Sequence, residues 1–149
     1  GGRARPAGVG GVETGGARGA QAIRRGVARF GAGPQGADDA AQALAGGGRI
    51  TNIGRQTVCD GLRALVGVSN RAAVRQHQVQ LVTVTDTEVI AAMQLLWTEL
   101  KQVVEVSSAT VLAAILQQPG RFAGRRIGVV LTGGNVDLQA LPWQALPEG

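Results

Sequence analysis

A hydroxyl, two glycines and an amide follow a short apolar run near the end of the chain. The run, residues 127–131, is rich in β-branched side chains, which predicts a buried parallel strand. Thr132, Gly133, Gly134 and Asn135 come directly after it. In open α/β sheets, ligands bind at the carboxyl ends of strands, where glycine lets the backbone approach and a hydroxyl or amide can face the ligand. A glycine pair after a strand is also typical of an ordinary turn. Spacing alone therefore leaves both a ligand site and a turn open.

Other residue types that can do chemistry have simpler interpretations. His77, the only histidine, stands at the end of an expected helix, which favours a solvated residue closing that helix over a catalytic one. Cys59 is the only cysteine, and nothing nearby in the sequence supplies a base, so a small packed residue is favoured over a reactive thiol. Because one cysteine forms no internal disulfide, the sequence indicates a reducing compartment, and we expect a cytoplasmic location.

Charge divides the chain into two parts. The net charge is +5 over 149 residues, yet residues 37–149 carry equal numbers of basic and acidic side chains. The excess lies in residues 1–36, which we interpret as a poorly specified leading segment rich in Gly, Ala and Arg. Its arginines are not interleaved with aromatic side chains for base stacking, so nucleic-acid binding is disfavoured. No apolar run approaches the roughly 20 residues that a membrane span needs.

From residue 37 onward, helical and strand-like patterns alternate, which predicts an α/β fold with a partial open parallel sheet and flanking helices. Thr85 and Glu88 have the spacing of a capping box, and Met93 and Trp97 lie on the apolar stripe of the helix that follows. Further elements are expected as follows: a short helix from Asp38 that ends in glycines 46–48, a helix over 70–77, a strand over 79–83, a helix over 107–117 that ends at Pro119 and Gly120, and a helix over 136–141 after the strand at 127–131.

Three motifs together resemble one family. They are TVCDGL at 57–62, VVE at 103–105 and LTGGNVDL at 131–138. In this order they resemble the carboxy-terminal half of the pyridoxal-phosphate-dependent threonine/serine dehydratases and serine racemases, over residues 33–143. The resemblance implies part of the large domain of a tryptophan synthase β-like fold and pyridoxal 5'-phosphate as cofactor. It also implies a small β-hydroxy amino acid, such as serine or threonine, as substrate, and a homodimer in the full-length protein.

The resemblance assigns roles to individual residues. Thr132 stands where the family has a serine whose hydroxyl bonds the pyridine nitrogen of the cofactor, and a hydroxyl there gives a weaker electron sink than an aspartate. Positions that match the cofactor site are Thr132, Gly133, Glu105 and Gly61, with Gly1 and Gly2 as what remains of a four-glycine phosphate loop. Lys101 and Asn135 match positions that bind a nucleotide effector in serine racemases.

The divalent-cation site of the racemases is only partly matched. Ala37 could offer its backbone carbonyl and Asp39 its carboxylate to Mg²⁺ or Ca²⁺, but Gly33 replaces the expected glutamate. Two protein ligands are few for ions that take about six oxygens.

The lysine that the chemistry needs is missing. A pyridoxal-phosphate enzyme holds its cofactor on a Schiff-base lysine, and the only lysine here, Lys101, does not match that residue. We therefore expect this chain to be inactive by itself, with no catalytic residue of its own. Two interpretations stay open: the carboxy-terminal portion of an ammonia-lyase or racemase, and a non-catalytic, truncated or degenerate paralogue.

Overall fold

The computed structural model describes residues 27–37, 41–42, 56–63 and 68–144. Gly1, Gly2 and most of the helix expected from Asp38 lie outside these residues. In chain order, the described elements are β1 (Phe30–Pro34), a 3₁₀ turn (Gln35–Ala37), a second 3₁₀ turn (Asp60–Leu62), α1 (Val68–Gln76), β2 (Gln80–Val84), α2 (Asp86–Thr98), α3 (Val106–Gln117), α4 (Pro119–Phe122) and a third 3₁₀ turn (Pro142–Gln144).

The two described strands form a parallel pair. Phe30 lies opposite Gln80, and Pro34 lies opposite Val84 at the other end. Parallel strands need a long crossover, and the connection from β1 to β2 contains α1. The α/β class with a parallel sheet and flanking helices is therefore confirmed. β1 was not predicted: it falls at the end of the leading segment, and its sequence FGAGP shows no alternation of apolar and polar residues. The division at residue 36 stays a prediction.

Helix α2 begins at the capping box that the sequence predicts. The Glu88 N–H donates to the Thr85 hydroxyl (3.2 Å), and the Thr85 N–H donates to the Glu88 carboxylate (2.7 Å). The carboxylate accepts hydrogen bonds from the Thr85 N–H and from the Thr85 hydroxyl (2.9 Å), and these hold the pKa of Glu88 below its usual value. The two N–H bonds also satisfy two of the amide groups that a helix start leaves without partners. The helix thus begins where local sequence alone requires it.

The core lies between α2, α3 and the sheet. Met93 of α2 and Val84 of β2 are fully buried, and α3 contributes small side chains, Ala109 and Ala113, that let the helices approach closely. Burying a side chain such as Met93 stabilises the fold by about 1.5–3 kcal/mol. Trp97 is half-buried, and its indole N–H donates to the Val104 carbonyl (3.0 Å). The apolar stripe on α2 therefore forms core, as expected.

Two expected elements are wrong. Residues 127–131 form no strand, because a strand exists only where another pairs with it and no described residue does so. Val129 and Val130 are exposed there. Residues 136–141 form no helix, because the Asp137 carboxylate accepts a hydrogen bond from the Gln139 N–H (2.9 Å), a local alternative to helical pairing. α3 ends at Gln117, as expected, and Pro119 then starts the short α4, where its lack of an N–H costs nothing.

Among the described residues, no helix combines the length and apolar character that crossing a membrane requires.

Candidate functional site

Three chain segments meet at the amino-terminal end of α3. They are the 3₁₀ turn at Asp60–Leu62, the residues that open α3, and the extended stretch after residue 131. Sequence analysis assigned four residues here to a cofactor, and the structure brings all four into this cluster: Gly61, Glu105, Thr132 and Gly133.

Ser108 joins α3 to the Thr-Gly-Gly stretch. Its hydroxyl oxygen accepts the Thr132 N–H (3.1 Å) and the Gly133 N–H (2.8 Å). The same hydroxyl donates to the Gly133 carbonyl (3.2 Å). Ser108 is buried, so these bonds form at a site with little access for competing water. The backbone at residues 132 and 133 is therefore held by one side chain.

Glu105 holds the same stretch from the other side. It precedes α3 with extended backbone (φ −76°, ψ 161°), and its N–H donates to the Gly133 carbonyl (2.9 Å). Its carboxylate accepts the Asn135 N–H (3.2 Å) instead of capping its own helix. A hydrogen bond to an ionised group is stronger than one between neutral groups. The main chain and the side chain of Glu105 thus both hold the stretch at residues 133–135.

The space beside Gly133 belongs to the Glu105 side chain. A Cβ atom added at Gly133 would lie 2.3 Å from Cδ and 2.3 Å from Oε1 of Glu105. Real Cβ atoms do not approach other heavy atoms below 3.0 Å. Glycine is therefore required at this position for as long as Glu105 keeps its conformation.

Gly61 also lies near the Glu105 carboxylate. Its N–H donates to the Asp60 carboxylate (2.8 Å) and to the Ser107 hydroxyl (3.2 Å). A Cβ atom added at Gly61 would lie 3.0 Å from that hydroxyl oxygen and 3.5 Å from Oε1 of Glu105. Two glycines thus lie near the same carboxylate oxygen of Glu105.

Thr132 differs from its neighbours in this cluster. Its side chain is exposed, and its hydroxyl makes no hydrogen bond with any residue that the structure describes, although its own N–H is held by Ser108. Around it, the backbone groups of Gly133 and the hydroxyl of Ser108 are engaged, and one carboxylate oxygen of Glu105 accepts the Asn135 N–H. The Thr132 hydroxyl is therefore an exposed group of this cluster that is available to a ligand.

The segment that carries Gly61 is anchored at the start of α2. The Thr57 hydroxyl donates to one carboxylate oxygen of Asp86 (2.6 Å), and the Val58 N–H donates to the other (2.9 Å). Cys59 follows and is fully buried, and this burial raises the pKa of its thiol to about 12. The prediction that Cys59 is a packed residue is confirmed.

Lys101 and Asn135, the residues assigned to an effector, lie in different surroundings. Lys101 is exposed after α2 with a positive φ of 55°, and its ammonium group donates to the Thr98 carbonyl. Asn135 belongs to the turn that Glu105 holds. No hydrogen bond that the structure describes links the two, so an effector site stays a prediction.

The expected metal ligands are not brought together by the described residues. Ala37 is buried in the first 3₁₀ turn, Gly33 lies in β1, and Asp39 falls outside the described ranges. Within those ranges, no group of three or more His, Cys, Asp or Glu side chains could hold an ion. The Mg²⁺ or Ca²⁺ site therefore stays a prediction.

His77 is not the solvated residue that the sequence predicts. It follows α1 directly and is only 9% exposed, and its Nδ1 atom is buried without a hydrogen-bond partner. The helix ends one residue before His77, and the chain turns at Gln78, which has a positive φ of 51°, before it enters β2.

Sequence reasoning missed Ser107 and Ser108 as part of the cluster. It assigned them only to a helix start, where serine is common. A signal was present: Glu105, not a serine, precedes the helix, which leaves two adjacent hydroxyls inside the first turn without a capping role.

With this geometry in place, comparison with known proteins defines the class. Residues 4–133 match the family described as pyridoxal-phosphate dependent enzyme (PALP). Because the match covers most of the chain, the chain belongs to this family. The resemblance found in the sequence is confirmed.

Several relatives are similar over most of this chain. A beta-hydroxyaspartate dehydratase of Paracoccus denitrificans is 44% identical over 110 residues, which cover 74% of this chain and 35% of the relative. A serine racemase of Oryza sativa subsp. japonica is 38% identical over 146 residues, or 95% of this chain and 43% of the relative.

Solved structures agree with the relatives. Maize serine racemase superposes with a TM-score of 0.82 at 38% identity, covering 92% of this chain and 43% of that one. Serine racemase from Dictyostelium discoideum gives a TM-score of 0.79 at 36% identity, over 89% of this chain and 43% of that one. The fold is that of these enzymes, and the chain spans less than half of their length.

Proposed function

We propose that this chain forms the carboxy-terminal part of the pyridoxal 5'-phosphate site in an ammonia-lyase or racemase that acts on serine, threonine or a similar β-hydroxy amino acid. One observation carries the proposal. The Thr132 hydroxyl is exposed and makes no hydrogen bond with a described residue, and it matches the hydroxyl expected to bond the pyridine nitrogen. Family membership and the names of the relatives support the choice of substrate class.

The residues present fit the ring end of the cofactor. Gly61 and Gly133 carry no Cβ atoms, and the Ser107 hydroxyl and the Glu105 carboxylate take up the space beside them, so these two side chains would border the ring. Thr132 offers one hydroxyl, which can donate to or accept from a ring nitrogen. The phosphate end, assigned to Gly1 and Gly2, stays a prediction.

The bound cofactor would act as an electron sink for the α-carbon of the substrate. Thr132 would orient the ring through one neutral hydrogen bond, and a neutral partner does not hold a proton on the ring nitrogen as a carboxylate would. A neutral partner for the ring nitrogen favours early loss of the β-hydroxyl group of the substrate. The reaction then yields a 2-oxo acid and ammonia. Glu105 would shape the ring wall, because its carboxylate is fixed by the Asn135 N–H.

We also propose that the lysine that binds the cofactor covalently comes from outside this chain. Lys101, the only lysine, is exposed and donates to the Thr98 carbonyl, and it belongs to the loop after α2. The chain alone is then inactive. The second candidate function is a non-catalytic paralogue, which Gly33 favours because it replaces the glutamate expected at the metal site.

A chimaera distinguishes the two candidates. The amino-terminal part of maize serine racemase, which this chain does not cover, is joined to residues 1–149 and purified with pyridoxal 5'-phosphate. The enzyme hypothesis predicts a cofactor absorbance band and turnover of serine or threonine, measured as 2-oxo acid, ammonia and D-serine. A folded chimaera that binds the cofactor without turning over either amino acid would support the non-catalytic paralogue.

The role of Thr132 is tested in the same chimaera. Thr132→Val removes the hydroxyl at constant volume, and we expect cofactor affinity to fall about tenfold, the usual effect of losing one hydrogen bond to a bound ligand. Thr132→Ser keeps the hydroxyl and should bind as the parent does. Thr98→Val, which removes an exposed hydroxyl on α2, is the matched control. Equal affinity in Thr132→Val and the parent would refute the assignment.

A further inference from the structure

Two adjacent serines in the first turn of α3 bond to two different loops. Ser107 accepts the Gly61 N–H, and Ser108 bonds to Thr132 and Gly133 across 24 and 25 residues of sequence. A serine in the first helical turn ordinarily bonds to the backbone of its own helix. The Ser108 hydroxyl makes no such bond. Its hydrogen bonds instead stabilise a contact between segments that are distant in the sequence.

We propose that Ser108 is a positioning residue that fixes the direction in which the Thr132 side chain, with its hydroxyl, leaves the backbone. The inference rests on the proposed function only for what Thr132 contacts, since the restraint on residues 132 and 133 is described without a ligand. Ser108 itself touches no cofactor in this proposal. It acts on the site through the backbone of its two partners.

All donor and acceptor positions of the Ser108 hydroxyl are occupied by hydrogen bonds. A serine hydroxyl has one donor and two acceptor positions. Here both acceptor positions take amide N–H groups, at 3.1 and 2.8 Å, and the donor position serves the Gly133 carbonyl at 3.2 Å. With a relative exposure of 4%, Ser108 has little contact with water that could replace these bonds.

Fixing two successive amide groups fixes the direction of the Cα–Cβ bond between them. The orientation of the Thr132 Cα–Cβ bond follows from the backbone on either side of it, and both peptide N–H groups there are bonded to the same oxygen. The next residue is restrained again, because the Gly133 carbonyl also accepts the Glu105 N–H (2.9 Å). Loss of the Ser108 hydroxyl therefore leaves the Gly133 carbonyl held but frees both amides.

Residue-resolved amide hydrogen exchange on the whole chain tests this inference without any cofactor. In the unmutated chain, the Thr132 and Gly133 amides should exchange more slowly than those of Val129 and Val130, which donate to no described group. In Ser108→Ala, the first two amides should exchange about tenfold faster, as expected for one lost hydrogen bond each. The Asn135 amide, held by Glu105, should not change.

Two further variants separate positioning from general destabilisation. Thr110→Val removes another buried hydroxyl from α3, one that donates to the Ser107 carbonyl, and it should leave exchange at residues 132 and 133 unchanged. Ser108→Thr keeps the hydroxyl and should restore slow exchange at both amides. If Thr110→Val accelerates them equally, the effect is global and the inference is wrong.

The unmutated chain alone can also overturn the proposal. If its Thr132 and Gly133 amides exchange as fast as those of Val129 and Val130, Ser108 does not hold them, whatever the variants do. The proposed function can be refuted independently of this inference. Slow exchange at both amides, together with no effect of Thr132→Val on cofactor affinity, would support the positioning role of Ser108 and contradict the cofactor role of Thr132.

Discussion

Replacing Gly133 by alanine tests the geometry of the site most directly. The added Cβ would lie 2.3 Å from Cδ and Oε1 of Glu105 and 2.5 Å from Oε2, whereas ordinary contacts begin at 3.4 Å. The carboxylate must therefore move by about 1 Å or more, and the Asn135 N–H then loses its acceptor. Gly133 itself stays bonded to Ser108 and Glu105, so the backbone cannot move away to relieve the overlap.

The expected cost follows from these two effects. The overlapping atoms are the end of a flexible, half-buried side chain, so moving them costs less than the about 1–3 kcal/mol of an extra methyl group in a packed core. Losing a hydrogen bond to a charged group costs about 1.5–3 kcal/mol when buried, and less here because Asn135 is exposed and water can replace the carboxylate. We expect Gly133→Ala to lower the free energy of unfolding by about 1 kcal/mol, or Tm by roughly 2–4 °C for a chain of this size.

Denaturant and thermal unfolding of the whole chain provide the assay. Gly128→Ala is the matched control, because a Cβ at Gly128 would meet nothing within 4 Å. A second comparison introduces Gly133→Ala into a Glu105→Ala background, where the clashing carboxylate is gone and the added cost should largely disappear. If Gly133→Ala is no more destabilising than Gly128→Ala, Glu105 does not occupy the space beside Gly133 and the proposed geometry of the site is refuted.

Two other predictions concern titratable groups. Burial raises the pKa of Cys59 to about 12, so a thiol reagent at pH 8 should label it only when the chain opens. The free energy of unfolding should also fall as pH rises above the ordinary thiol pKa, because Cys59 then ionises only in the unfolded chain. Cys59→Ala should abolish this pH dependence. Fast labelling of the folded chain would contradict the burial. The capping-box hydrogen bonds lower the pKa of Glu88, so its stabilisation is present above the ordinary glutamate value and is lost as pH falls through the lowered one. Glu88→Ala should cost about 1 kcal/mol in chemical denaturation at pH 7 and flatten this acid dependence, whereas Glu99→Ala, at the exposed end of α2, should do neither.

Local signals in the sequence predicted local structure. The Thr85 and Glu88 pair defines the start of α2 because its two hydrogen bonds lie within four residues of each other, and the apolar stripe through Met93 forms core as expected. β1 was missed because two glycines and a proline give it little strand character, so its formation depends on β2, which is 50 positions away in register. The β-branched stretch before Leu131 indicates strand propensity, but propensity does not supply a pairing partner.

The candidate site also contains residues that the sequence could predict and residues that it could not. Gly61, Glu105, Thr132 and Gly133 were proposed from a family resemblance, and the structure brings them into one cluster. Their cofactor role is a proposal. Spacing alone could not have joined them, since their contacts bridge 24 to 46 positions. Ser107 and Ser108 were missed because a hydroxyl in a helix start has an ordinary local use, and only the folded chain places another loop against it.

The steric relation between Glu105 and Gly133 also constrains how this chain can vary. The carboxylate fills the volume that any side chain at position 133 would need. A homologue that retains the acid must retain the glycine, and one that shortens the acid is free to gain a side chain opposite it. Substitutions at these two positions should therefore be correlated, with the change at 105 coming first.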